Sequence, residues 1–323
     1  MSDFIVIGGG IAGLSAGARL SQLGKVTLLE GESALGYHAS GRSAALFEEN
    51  YGSACTVGLN KASAEYHRAH NGGYLSRRGL MIVAGRADRA AFERDVAALG
   101  VTPITTQEAR DMVPVLDLRK VDLAGHHEGA YDIDTDRMLQ DFAKAIRANG
   151  GTIVTQARVS QITRTANGWR VETEGGVYSG AQLVNAAGAW ADQIAALAGI
   201  PPIGIIPHRR SMARIPAPGG LDVSNWPMFF GPGEAWYAKP DAGALLVSPA
   251  EEHPVEAHDA WADDMVLAEG LARYEHYVAE PVTRLLASWA GLRSFAPDRN
   301  LVLGLEASDP AFIWCAGQGG YGF

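Results

Sequence analysis

The chain has 323 residues, of which 47% are hydrophobic and 20% charged, with a formal net charge of −9. That length allows two domains with sizeable cores, and the composition excludes a disordered or fibrous chain. The acidic balance argues against a nucleic-acid surface, because Arg77-Arg78 and His208-Arg209-Arg210 are too short to track a phosphate backbone.

In chain order, Asp3 to Ile7 reads as a short strand that enters the turn Gly8-Gly9-Gly10-Ile11-Ala12-Gly13. A helix from Leu14 to Leu23 and a second strand, Val26 to Leu29, closed by Glu30, follow. After the glycine- and serine-rich loop 36–43, the pattern predicts a helix over 56–69, a strand over 80–83 and a charged helix over 87–99. A helix over 136–149 has Asp134 or Thr135 as its N-cap. Strands are expected over 152–154 and 159–164. A hairpin is expected to join 169–173 to 177–178 across Glu174-Gly175-Gly176. Leu183 to Asn185 reads as a buried strand running into a helix that ends at Leu197, and 201–254 as antiparallel sheet. A long helix over 259–277 precedes strands at 290–295, 301–303 and 312–314. The chain organises as α/β: a Rossmann-like nucleotide domain (1–75, 132–202 and 289–323) interleaved with an α+β substrate domain on an antiparallel sheet (76–131 and 203–288).

The first thirty residues form a dinucleotide-binding unit: strand, glycine turn, helix, strand, acid. Gly8 allows the tight turn, Gly10 lets the backbone approach a pyrophosphate, and Gly13 lets the helix pack close. The helix N-terminus offers free N–H groups and partial positive charge to phosphates. Glu30 stands where an acid accepts from ribose hydroxyls. This fingerprint alone does not separate NAD from FAD. Its place at the N-terminus, and the strand pairs that extend the unit over 152–164 and 169–178, favour FAD.

Cys55 and Cys315 supply no disulfide framework and no metal spacing, and read as buried free thiols suited to a reducing compartment. Asp3 replaces the basic region of a signal peptide, and no run nears the roughly 18 apolar residues of a membrane span, so a cytoplasmic protein is expected. His67 and His70 read as surface histidines without a third metal ligand, and His126-His127 as partners of nearby acids. Glu251-Glu252 and Asp263-Asp264 read as solvated acidic pairs, and Trp261, Tyr274 and Tyr277 as core-facing aromatics.

Longer motifs carry a resemblance: GGGIAGLS at 8–15, GYHASGRSAA at 36–45, DIDT at 132–135, LVNAAGAW at 183–190, KPDAG at 239–243, WAGLRSF at 289–295 and GQGGYG at 317–322. With these the chain resembles the D-amino-acid oxidase superfamily of FAD enzymes, and within it most closely the bacterial D-arginine dehydrogenases. The resemblance implies bound FAD, hydride transfer from a D-amino-acid Cα to the flavin, and hydrolysis of the imino acid to a 2-oxo acid and ammonia. It places Ile11, Ala12, Glu30 and Gly31 at the adenosine end and pyrophosphate, and Ala39, Ser40, Gly41, Arg42, Ser43, Ala44, Ala45 and Leu46 around the pyrophosphate and ring. Val159 meets the adenine by its backbone, Ala187 and Gly188 line the cofactor, and Gly319, Gly320, Tyr321 and Gly322 approach the ring. It assigns Arg210 and Arg293 to the substrate carboxylate, the Tyr237 hydroxyl to the same group, Tyr51 to the pocket wall, and the Gly320 carbonyl to the substrate amine. The residues agree in kind, because arginine's planar fork suits a carboxylate and an unpaired guanidinium in the apolar stretch 290–295 would be costly.

Departures from the family shape the substrate expectation. D-arginine-preferring members carry a glutamate on a mobile loop where this chain has Leu80, and a histidine where it has Leu46. Met228 and Phe230 add apolar surface, and Glu48 is an acidic contact two positions beyond Leu46. Apolar or aromatic D-amino acids are therefore expected over D-arginine, with a quinone or oxygen as electron acceptor. Two other readings stay open: oxidation of secondary amines (sarcosine or glycine type) or 2-hydroxy acids, and a non-catalytic apo fragment. The last arises because the family continues past GGYG into a C-terminal helix.

Overall fold

The structure, a computed structural model, describes all residues from Met1 to Phe323. Strand β1 (Ser2–Ile7) leads through the glycine turn into helix α1 (Ile11–Leu20) and on to β2 (Val26–Leu29), which lies parallel to β1. Apolar residues fill β1 and β2 because helices cover one face of this sheet and the core of the adjoining hairpin covers the other. On the opposite side of β1 lies the second half of the long strand Gly176–Asn185, also parallel, while its first half pairs with Gly168–Thr173 as the expected hairpin. What reads as two strands in sequence is one, bent from the hairpin into the parallel core. Thr152–Val154 extends the sheet beyond β2, and Phe312–Ala316 and Val302–Leu305 complete it on the far side of Gly176–Asn185.

The second sheet has nine strands, mostly antiparallel. Its centre is built from Ile206–Pro216, Ala244–Ser248, Tyr237–Asp241, Met228–Phe230 and Leu80–Ala84. Behind it Val113, Leu116, Phe229, Trp236, Leu267 and Tyr274 form the largest hydrophobic cluster of the molecule. The strand Ala287–Phe295 pairs along its whole length with Ile206–Pro216. The domain switch expected at residue 289 therefore falls within this strand, and the chain returns to the nucleotide sheet only at Val302.

Several sequence expectations change. The helix expected over 259–277 spans Asp264–Glu275, because the Asp263 carboxylate accepts from Met265 N and Val266 N and so starts the helix there. Trp261, in the preceding loop, is 68% exposed rather than core-facing, while Tyr274 and Tyr277 are buried. Cys55 is exposed and only Cys315 is largely buried, which pushes its thiol pKa up to about 11. His67 is buried against Phe47 rather than lying at the surface. The helix Thr106–Met112, not anticipated, carries a capping box between Thr105 and Glu108 that was legible in the sequence. No helix is long and apolar enough to cross a membrane.

Candidate cofactor cavity and active site

A cavity of about 490 Å3 lies where the two sheets meet. One part of its wall is backbone. A Cβ placed on Gly8 would stand 2.3 Å from the Ala186 carbonyl, so the turn closes against the strand end only with glycine. At Gly13 the added atom would stand 1.9 Å from the Gly8 carbonyl, and at Gly41 2.4 Å from that of Gly36. Gly13 and Gly41 thus pack the scaffold and do not line the cavity, unlike the other expected cofactor residues. Gly10 meets only Ser40 Oγ at 3.2 Å and leaves the helix end open.

The Ser40 hydroxyl accepts from Ile11 N (3.0 Å), while the amides of the cavity-lining Gly10 and Ala12 donate to nothing within the protein. Free amides at a helix N-terminus facing a cavity form an anion seat. Glu30 lines the same wall with both carboxylate oxygens partly used: Oε2 accepts from Gly9 N (2.6 Å) and Oε1 from Glu32 N (2.7 Å). Each oxygen keeps a lone pair for a ribose hydroxyl. Gly31, Val159, Ala187 and Gly188 complete this part. The open amides, the glycine-closed turn and a cavity lined from Glu30 and Val159 to Arg293 and Gly320 fit FAD. Gly10–Ala12, Glu30 and Gly31 would hold its adenosine and phosphates.

The loop 39–46 crosses from this wall to the second sheet. Arg42, expected at the pyrophosphate, spends its donors on protein: Tyr37 O, Ala260 O, Ala290 O and the Asp259 carboxylate (2.6 Å). It ties the loop to the substrate domain. The Ser43 hydroxyl accepts from Ala45 N (3.0 Å), and Ala45 adopts a φ of 56°. Lys239, buried beneath, holds that turn by donating to Ala44 O (2.6 Å) and Ala45 O (3.2 Å), with Asp132 Oδ1 at 2.9 Å. Burial lowers the Lys239 pKa while Asp132 opposes the shift.

The remaining wall is made of side chains. Arg210 faces Gly291 across the antiparallel pair and His208 faces Arg293, so both guanidinium groups project on one face as diagonal neighbours. Arg210 is 7% exposed, and its Nε and Nη1 have no hydrogen-bond partner. Arg293 lies against Gly320, where an added Cβ would stand 3.0 Å from the guanidinium carbon. The Tyr237 hydroxyl makes no hydrogen bond within the protein. Tyr51 donates to Glu234 Oε2 (2.8 Å) and packs on the Tyr321 ring at 5.3 Å. Burial, then the Glu234 charge, raises the Tyr51 pKa, so its hydroxyl stays protonated. Glu48 also lines the cavity: Oε1 accepts from Asn50 N (3.0 Å), whereas Oε2 lies 2.9 Å from His127 Nε2 without forming a hydrogen bond and has no partner.

Leu80, Met228 and Phe230 do not line the cavity. Leu80 begins the strand expected there and is buried between Met228 and His127, unlike the mobile-loop position that the resemblance gave its counterpart. The sheet places these three behind Leu46, Tyr51 and Tyr237, where they back the pocket. Sequence reading missed Met212 on the wall, and Glu234, Lys239 and Glu252 around it. Lys239 alone gave a signal, a cation in an apolar strand.

The DAO family model, FAD dependent oxidoreductase, matches residues 3–323. L-2-hydroxyglutarate dehydrogenase of Escherichia coli K12 is 30% identical over 246 residues, covering 70% of this chain and 56% of that protein. The chain thus spans little more than half the length of the curated relative it matches. Glycine oxidase from Geobacillus kaustophilus has the same fold, with a TM-score of 0.82, 23% identity, and coverage of 99% of this chain and 90% of that one. L-α-glycerophosphate oxidase from Mycoplasma pneumoniae, with FAD bound, superposes with a TM-score of 0.85 at 21% identity, over 99% and 90% of the two chains. The superfamily expectation holds, whereas its leaning towards D-arginine dehydrogenases gives way to a relative that acts on a 2-hydroxy acid.

Proposed function

The chain belongs to the DAO family of FAD-dependent oxidoreductases, and from that premise we propose that it oxidises the Cα of a small 2-substituted carboxylic acid. The first candidate is a D-amino acid with an apolar side chain, released as 2-oxo acid and ammonia. The observation that carries the reading is the buried Arg210 beside Arg293, with unpartnered donors, on the cavity wall nearest Gly320. Bound FAD supplies the hydride acceptor, and the protein supplies orientation and charge. The two guanidinium forks take the carboxylate, and the free Tyr237 hydroxyl adds a third donor. The Gly320 carbonyl accepts from the amine. Leu46, Met212 and the Tyr51 ring give the side chain an apolar surface.

A 2-hydroxy acid is the second reading, supported by the 30% identity to L-2-hydroxyglutarate dehydrogenase. The same arginine pair receives its carboxylate, with a hydroxyl in place of the amine. Anaerobic addition of D-amino acids, L-amino acids, sarcosine and both enantiomers of 2-hydroxy acids to the FAD-loaded protein tests both readings. Bleaching of the visible flavin band by apolar D-amino acids is expected. Bleaching by 2-hydroxy acids alone would favour the second reading, and a band that no carboxylate bleaches would sink both. Reoxidation of the bleached protein by oxygen or by a quinone then identifies the acceptor.

A further inference from the structure

Glu251 and Glu252, adjacent in sequence and expected to be solvated alike, are used differently. The Glu251 carboxylate is buried and accepts from Ser211 N (2.7 Å). Glu252 meets guanidinium groups from separate segments: Arg210 Nη2 at 3.2 Å, Arg293 Nη1 at 3.8 Å and Arg299 Nη2 at 2.7 Å. Burial raises the Glu252 pKa, but the Arg299 hydrogen bond and the charges of Arg210, Arg299 and Arg293 outweigh it. The carboxyl therefore stays below its ordinary range and ionised. Arg210 and Arg293 line the cavity and Glu252 does not.

We infer that Glu252 is a positioning residue for the carboxylate seat: it holds Arg210 and Arg293 side by side from behind the cavity wall, and Arg299 pins it there. The inference rests on the reading that this arginine pair receives a substrate carboxylate. Like charges on diagonal positions of one sheet face repel, and water screens them poorly where they are buried. A shared carboxylate offsets that repulsion: it fixes Arg210 by a hydrogen bond to Nη2 and draws Arg293 Nη1 by charge alone, leaving other N–H groups directed elsewhere. On Arg210 those groups are Nε and Nη1, both buried and partnerless. Arg299 is built to serve as the outer pin. It occupies a turn closed by Arg299 N to Ala296 O (2.8 Å), with a φ of 61°, and its guanidinium stacks 3.8 Å over the Phe295 ring. That same ring blocks any side chain at Gly319, where an added Cβ would stand 2.4 Å away. The pin and the glycine segment beside the seat therefore share one support.

The test is calorimetric titration of the FAD-loaded protein with isovalerate, a carboxylate that has no amine or hydroxyl on Cα and so cannot be oxidised. Glu252→Gln keeps the shape and removes the charge, and is expected to weaken isovalerate binding by about 10-fold. Glu252→Asp should restore it to within about 3-fold, and Arg299→Gln should weaken it by about 3-fold. In turnover, KM should carry the change while kcat moves by less than about 3-fold, because an anchor for the carboxylate acts on ground and transition states alike. Glu252→Gln binding isovalerate as tightly as the wild type, or more tightly, would overturn the inference. It would mean that Glu252 opposes the incoming anion instead of presenting its receptors. Should Glu252→Gln fail to fold, unchanged binding in Arg299→Gln overturns it equally. A wild-type protein that binds no isovalerate would instead remove the carboxylate-seat reading, and this inference with it.

Discussion

The two parts of the cavity wall are made from different material. On the nucleotide side the chemistry is backbone: open amides at the start of α1, and glycines whose hydrogens fill the only space available. On the second-sheet side it is side chain: Arg210, Arg293, Tyr237 and Tyr51, carried on strands or loops far apart in sequence. A backbone site is specified largely by consecutive residues and, at Gly8 and Gly13, has no room for an added atom. A side-chain site is specified by strand register and can be emptied without disturbing the fold.

The largest expected effect breaks the first part. Gly8→Ala places a Cβ 2.3 Å from the Ala186 carbonyl at a φ of 111°, and Gly13→Ala one 1.9 Å from the Gly8 carbonyl. Each should cost more than about 3 kcal/mol and leave a protein that neither melts cooperatively nor retains flavin. Gly10→Ala, whose Cβ meets only Ser40 Oγ at 3.2 Å, should fold and bind flavin more weakly. Equal behaviour of all three in thermal melts and flavin-to-protein absorbance ratios would contradict a backbone-built wall.

Arg293→Met breaks the other part. Flavin content should stay at the wild-type level, while kcat/KM for carboxylate substrates falls by a factor of about 10² to 10⁴ through loss of a charge-assisted fork. Loss of flavin in this variant would show that the two parts are not separable. Tyr51→Phe should be milder, at about 5-fold in kcat/KM. It removes the hydrogen bond to Glu234 but keeps the ring packed on Tyr321.

The same division explains what the sequence could tell. The strand–glycine–helix–strand–acid unit was readable because every part of it is local, and Glu30 and Gly8 lie on the cavity wall. Arg210 and Arg293 were named from a resemblance to known enzymes. Their placement as diagonal neighbours depends on an antiparallel register between segments some eighty positions apart, which no local pattern encodes. The role of Glu252 was missed for the same reason: it is exposed, as read, but its contact with three arginines depends on segments far away in sequence. Leu80 was legible as the start of an apolar strand, which it is, whereas its pocket position came from resemblance and fails because the strand register turns it into the core.

The smallest expected effect lies behind the wall, in the core cluster that includes Phe47. His67, on the helix Ala54–Ala69, is buried against Phe47, and its Nδ1 has no partner. Phe47 lines the cavity, so this helix supports the wall from outside. Burial first, then the Arg68 charge, lowers the His67 pKa, so the folded state prefers the neutral ring. The unfolded chain therefore takes up the proton first as pH falls. The stabilising contribution is complete above the unfolded histidine value of about 6.5 and is lost as pH drops through it towards the folded value. The loss should reach about 1 kcal/mol for each unit separating the two values. Wild-type Tm should accordingly fall between about pH 7 and pH 5, and His67→Phe, which cannot titrate, should remove part of that slope. An identical slope in the variant would assign the acid sensitivity elsewhere, for instance to His126, whose pKa burial also lowers. A reduced slope accompanied by unchanged flavin retention at low pH would show that the brace stabilises the fold without tuning either part of the cavity wall.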